Sequence, residues 1–367
     1  MARSRLSKYI VKSRIASRLS VLTVAFSIAL LCTFLFLETK FLSSLGTMAA
    51  VFVASIATFS RAHYRTQKFV RFAIRSRLAN NSKPELEKLT RQAHGLSKYA
   101  QYNAHPSSEI KQALREAESH MGMKPGSVLA LVVPMELLLG VVHNCPSAAA
   151  MLYAGRHPVI LIDDELQKML DKQDDFNKSY ETVVSVFCHE IAHLIGWNTR
   201  WSKFIGICEL FITTISMASL VVKALEDNVK FGLIGTAITC LYLAFEPWAL
   251  TSTRLDSVFG IISRLSFSIW FPYLFIGIVL GFLPFFFVAK IFIVFVIAKY
   301  LIASFRRKEE LYADAMAVIS QGTCTPLANF FRTLNGSYPN LWDQLFATHP
   351  PIPTRIKGLR KIEKNLA

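Results

Sequence analysis

Acidic residues are missing from the start of this chain. The first twenty positions hold none, against Arg3, Arg5, Lys8, Lys12, Arg14 and Arg18. Over all 367 residues, 25 acids face 41 lysines and arginines, a formal charge of +16. Charged residues make up only 18% of the chain and hydrophobic ones 52%, and the mean hydropathy is +0.36. Soluble enzymes rarely show such values, and here the apolar residues fall in blocks. The chain therefore reads as an integral membrane protein with soluble parts. The six cysteines include no C-x-x-C pair, which excludes a disulfide scaffold and a cysteine-rich zinc module. No repeat or low-complexity segment is visible. No small-x-small cleavage site precedes polar sequence, so the basic start reads as a retained anchor and not as a signal peptide.

Residues 19–37 and 41–60 are two apolar segments, each long enough to cross roughly 30 Å of hydrocarbon as a helix. Arg61, Arg65, Lys68, Arg71, Arg75 and Arg77 follow. Basic flanks on both sides of this hairpin place both ends in the cytoplasm and outweigh a nucleic-acid reading. Further blocks at 204–222, 231–249, 267–284 and 286–304 bring the expected crossings to about six, with a tight hairpin at Gly281–Pro284. Trp197, Trp201, Trp248 and Trp270 read as an interfacial belt. For Glu209 and Glu246 inside the blocks, snorkelling is favoured over positioning a substrate, and for Lys290 and Lys299 it is the simpler reading beside lining a polar cavity or pairing with such acids.

Between the blocks, Ser107 caps an expected helix to about His120, and Asp163 caps a short one. Strands are expected at Val128–Val133, Ala148–Ala154 and Val159–Ile162. The helix over about 179–196 carries Cys188-His189-Glu190-Ile191-Ala192-His193. Four residues apart, His189 and His193 share one helix face and can hold one metal ion, and Glu190 can take a proton from an attacking water. Cys188 points about 100° away from its neighbour and reads as packing material. Two imidazoles suit zinc but need a third protein ligand. Glu310, in Glu309-Glu310-Leu311-Tyr312-Ala313-Asp314, is a candidate, with Asp314 one turn on to orient a ligating histidine. Taken alone, that stretch favours the reading of an ordinary acidic helix after a membrane segment.

His189–His193, Glu310–Asp314 and Thr348-His349-Pro350-Pro351-Ile352-Pro353-Thr354-Arg355-Ile356 occur in this order. In order and style they resemble the HtpX and CAAX prenyl endopeptidase family of membrane zinc metalloproteases, His-Glu-x-x-His gluzincins. The resemblance runs from about residue 120 to the end. It implies that His189, His193 and Glu310 bind Zn(2+), that Glu190 is the general base, and that His349 and Arg355 lie near the active site, steadying substrate or oxyanion. Two departures stand out. Asn198 occupies a position where HtpX-type chains usually carry Asp, and four crossings, not two, separate the histidines from the glutamate.

The expected fold is a mainly α integral membrane protein with a cytoplasmic α+β zincin-like domain carrying a small β-sheet. Its parts are the basic N-terminus and first hairpin (1–60), cytoplasmic helices with the sheet and motif helix (61–203), four further crossings (204–304) and a C-terminal helical part completing the site (305–367). The expected function is a zinc endopeptidase of an inner cell membrane, acting on protein or peptide substrates, membrane proteins among them, with no nucleic acid. Both termini would be cytoplasmic. Alternatives are a processing protease for lipidated or prenylated C-termini and a sensor-type membrane metalloprotease of the β-lactam receptor class.

Overall fold

The computed structural model describes residues 2–38, 106–132, 148–153, 157–171, 176–196, 198–249, 269–334 and 349–366. The expected crossing at 41–60 and the basic cluster 61–77 lie outside them.

Helix α1 (Ala2–Glu38) is longer than the apolar segment within it. Its buried positions include Leu6, Ser13, Ser20 and Ser27, seven apart, and Ser17, Val24 and Leu31, also seven apart. That spacing is a continuous helical seam made largely of serine, which hydropathy does not register. Small residues there let a neighbouring backbone approach closely. Ser20 and Ser27 return their hydroxyls to the carbonyls of Ala16 and Thr23, so no polar group is stranded.

Next come α2 (Ser108–His120), β1 (Leu129–Val132), β2 (Ala148–Tyr153), β3 (His157–Ile162) and α3 (Asp164–Asp171). Ser107 caps α2 by accepting from the Ile110 N–H, and Asp163 Oδ1 accepts from the Leu166 N–H at 2.8 Å. The strands form one sheet in the order β1-β3-β2, parallel between β1 and β3 and antiparallel between β3 and β2. The motif helix α4 (Phe176–Ile195) is followed by α5 (Asn198–Asp227), α6 (Val229–Ala249) and α7 (Ile269–Val279). Gly281, at φ 72°, turns the chain back into α8 (Phe285–Gln321), as the expected hairpin requires. Gly322 ends α8 in the left-handed conformation, and α9 (Thr325–Thr333) and α10 (Ile352–Lys364) complete the chain.

Buried residues form two cores. One gathers α2, the sheet, α4, the end of α8, α9 and Leu359 of α10; the other gathers α5, α7 and the apolar part of α8. Helices α1 and α8 run through both, with Leu6 and Ala313 in the first and Leu31 and Ile291 in the second. Among the described residues three helical stretches are long and apolar enough to cross a membrane: Ser4–Phe34, Phe204–Asp227 and Phe285–Gln321. The described residues are thus mostly helical, with three membrane-spanning candidates and a small sheet among them.

Trp270 is buried in the helical bundle, edge-on to Tyr273 with ring centres 5.2 Å apart. One expectation changes. Glu209 and Lys299 pair instead of snorkelling separately. Lys299 Nζ and Arg306 each lie 2.9 Å from one oxygen of Glu209, tying α5 to α8. Two cations on one acid satisfy both oxygens, which an isolated acid between apolar helices could not achieve. Glu246 lies among side chains outside the described ones.

Candidate active site

The site forms where α4 meets α8 beneath the edge of β2. Burial of Val183, Val184, Phe187, Cys188 and Ile191 turns one face of α4 into the core and directs His189 and His193 towards α8. Their rings stand nearly perpendicular, at 87°, with the Nε2 atoms 3.1 Å apart. Glu310 closes the triangle, with Oε2 3.5 Å from His189 Nε2 and Oε1 3.3 Å from His193 Nε2. Tetrahedral zinc with bonds of roughly 2.0–2.1 Å has its ligand atoms about 3.3–3.4 Å apart, so this triangle fits the ion. Among the described residues these three form the group able to hold a metal.

Charge supports the same fit. Burial on its own would lower the basicity of His189, but Asp314 and Glu310 beside it win and raise its pKa to about 10. Metal-free, the pocket therefore keeps a proton on a histidine; a cation there would supply the positive charge the carboxylates demand. His189 Nδ1 lies 2.9 Å from Asp314 Oδ1, an ion-pair contact that falls outside strict hydrogen-bond geometry. That contact leaves Nε2 facing the triangle.

Asp314 is held in turn. Arg355 donates to both of its oxygens, from Nε at 2.8 Å and from the terminal nitrogen at 2.6 Å. The guanidinium lies 4.0 Å from the centre of the Phe331 ring and 3.5 Å from Glu310 Oε2. Arg355 is thus buried behind the ligand triangle, joining α10 to α8. His349 Nδ1 lies 3.2 Å from Glu310 Oε2, with 70% of its side chain exposed. It stands on the open side of the site.

Glu190 projects beside the triangle, and its Oε2 accepts the Ala150 N–H at 2.8 Å. Burial raises its pKa, opposed by His189 and His193 and by the Ala150 bond. The same bond reveals how β2 is used. In the β2–β3 register Ala150 sits opposite Ile160, and its N–H turns away from β3 towards Glu190. By alternation Ala148 and Leu152 face the same outer edge. Among the described residues no strand pairs with that edge.

Cys188 is fully buried, and burial pushes its thiol up to about 12, as suits packing material. Asn198 begins α5, and its side chain lies outside the described ones. Two residues escaped sequence reasoning. Glu309, next to Glu310, is buried about 100° around the helix, where it accepts from Ser17 at 2.6 Å. The seven-residue spacing along α1 marks its buried seam but not this link.

No curated protein matches the chain. The family model of peptidase family M48 matches residues 153–363, more than half of the chain, including β3, α4, α8 and α10 and so every residue of the triangle. A metallopeptidase family is what two histidines one turn apart, an adjacent glutamate and a third acidic ligand call for, and the chain belongs to peptidase family M48.

Proposed function

We propose that the protein is a membrane-anchored zinc endopeptidase that cleaves extended segments of membrane proteins close to the bilayer. The observation that supports it most is the convergence of His189, His193 and Glu310 beside Glu190, under the outer edge of β2. Zinc held by the three ligands would polarise the scissile carbonyl and lower the pKa of water. Glu190 takes the proton from the attacking water and returns it to the leaving amine. Asp314 holds His189 in one orientation, and Arg355 holds Asp314. His349, exposed and 3.2 Å from Glu310, is placed to steady substrate or the developing oxyanion.

An extended peptide adds to β2 through the outward backbone groups of Ala148 and Leu152, on either side of the Ala150 N–H that Glu190 holds. Glu310 stands seven residues beyond Ala303 on one continuous helix, about 10 Å past the apolar run. That short distance supports segments flanking transmembrane helices as substrates, and with them a role in membrane-protein quality control. The basic residues flanking the apolar segments support a reading with about six crossings and with both termini and the site in the cytoplasm.

The test is substrate trapping. Glu190→Gln, made in the full-length protein, should keep zinc, lose proteolysis and retain membrane proteins through segments adjoining their transmembrane helices. Cleavage at the wild-type rate by this variant would reject the mechanism. Retention of soluble proteins alone would reject the substrate class.

A further inference from the structure

Helix α1 lies outside the matched residues 153–363, yet a single turn of it touches both helices that carry metal ligands. Arg14 Nε donates at 3.3 Å to the carbonyl of Ile195, two residues after His193. Ser13 lies against Gly196, where an added Cβ would run into the Ser13 hydroxyl and lie 3.3 Å from the Ser13 Cβ. Glycine there leaves room for the Ser13 side chain at the end of α4. One turn further, Ser17 Oγ donates to Glu309 Oε1 at 2.6 Å, with Ser17 0% and Glu309 2% exposed. Glu309 adjoins Glu310.

The two halves of the triangle come from distant parts of the chain, and their separation must be held to about 0.5 Å for a metal site to work. Apolar contacts alone allow a helix to slide or turn by small amounts. A short, fully buried hydrogen bond does not, because breaking it strands a polar group without water. With Glu309 fixed against α1, Glu310 is fixed too, about 100° around the same turn. A leucine at 309 would fill the space but would not set this rotation.

We propose that Ser17 is a positioning residue of the metal site, acting through Glu309, and that α1 is a splint setting the separation of His193 from Glu310. This inference rests on the zinc reading above. Its test uses the full chain in lipid nanodiscs, loaded with zinc, with release to a chelator timed and kcat and KM measured on an unstructured protein substrate. Ser17→Ala removes only the hydroxyl. It should release zinc about tenfold faster, near the lower end of the effect of losing a partner that orients a ligand. It should lower kcat while KM stays within about twofold, since β2 is untouched. Ser17→Thr, which returns the hydroxyl, should restore both. Gly196→Ala, which pushes α1 off the end of α4, should also speed release, and it provides the readout if Ser17→Ala fails to assemble. Release from Ser17→Ala or Gly196→Ala at the wild-type rate overturns the proposal, as does Ser17→Thr behaving like Ser17→Ala. A wild-type protein that binds no zinc overturns the zinc reading itself, a result distinct from these.

Discussion

Replacing Asp314 by asparagine keeps the shape of the side chain but removes its charge, at a position where two cationic partners converge. Arg355 is 8% exposed and makes both of its short bonds to Asp314. Losing one partner of a buried ion pair typically costs about 3–5 kcal/mol, because the other charge stays behind without compensation. The asparagine oxygen can still accept one of the two bonds, and Glu310 lies 3.5 Å from the guanidinium, so the lower end, about 3 kcal/mol, applies. His189 also loses the group 2.9 Å from its Nδ1. Losing such an orienting partner lowers metal affinity about 10–100-fold. Two effects of one substitution are thus expected, and the double variant Asp314→Asn/Arg355→Met separates them. Methionine removes the stranded charge and still packs against Phe331, so thermal stability should recover most of the loss. Zinc affinity should not recover, because His189 still lacks its carboxylate. Thermal midpoints and competition with a zinc indicator, measured on the same detergent-solubilised samples, give both quantities. Zinc affinity that recovers together with stability would refute the reasoning, since it would mean that Asp314 acts on the metal only through the fold.

Zinc binding to the metal-free protein should release about one proton at neutral pH and tighten as pH rises towards about 10, because His189, with its pKa raised to about 10, must give up its proton; calorimetry in buffers of different ionisation enthalpy measures this, and zero release would contradict it. By the same sign, the contribution of that charged histidine to the stability of the metal-free fold is fully present below its unfolded value near 6.5 and is lost as pH passes about 10. Glu209→Ala should lower the thermal midpoint by several degrees by leaving Lys299 and Arg306 unpaired, with Lys299→Met in the same chain restoring part of it, as melting of the purified variants would show. In a background without native cysteines, Asn228→Cys should react with an impermeant thiol reagent in intact cells and Lys361→Cys only after the membrane is opened; the reverse pattern would place the site on the other face.

What could be read from the chain divides along a physical line. His189, Glu190 and His193 lie within one helical turn, so their geometry follows from backbone spacing alone. The caps at Ser107 and Asp163 and the turn at Gly281 are local in the same sense, and all three stand as expected. The strands at 129–132, 148–153 and 157–162 were legible from their branched and small apolar runs. The first half of α1 was not, because basic residues on its outer face and serines on its inner face conceal its periodicity from any hydropathy scale. The link from Ser17 to Glu309 spans nearly the whole chain, and no local pattern announces it. Glu209 with Lys299 is a similar case. Each alone reads as a charge reaching for an interface, and only the packing of α5 on α8 shows that they face each other.

The charge balance of the site explains why these residues belong together. With both histidines neutral, Glu190, Glu310 and Asp314 carry three negative charges and Arg355 one positive, leaving two negative charges in a space where all but Glu310 of these four residues are less than a tenth exposed. Such a surplus in a low-dielectric pocket is unstable without protons or a cation. Two of the four groups, Asp314 and Arg355, neutralise each other behind the triangle. The deficit therefore falls on Glu190 and Glu310, the groups that flank the His189–His193 pair. A dication bound between the histidines would balance it without requiring Glu190 to be protonated, leaving that carboxylate ionised. One arrangement thus both favours a bound cation and would leave Glu190 free to act as the proposed base, with α1, α8 and α10 converging to hold a triangle only a few ångströms across.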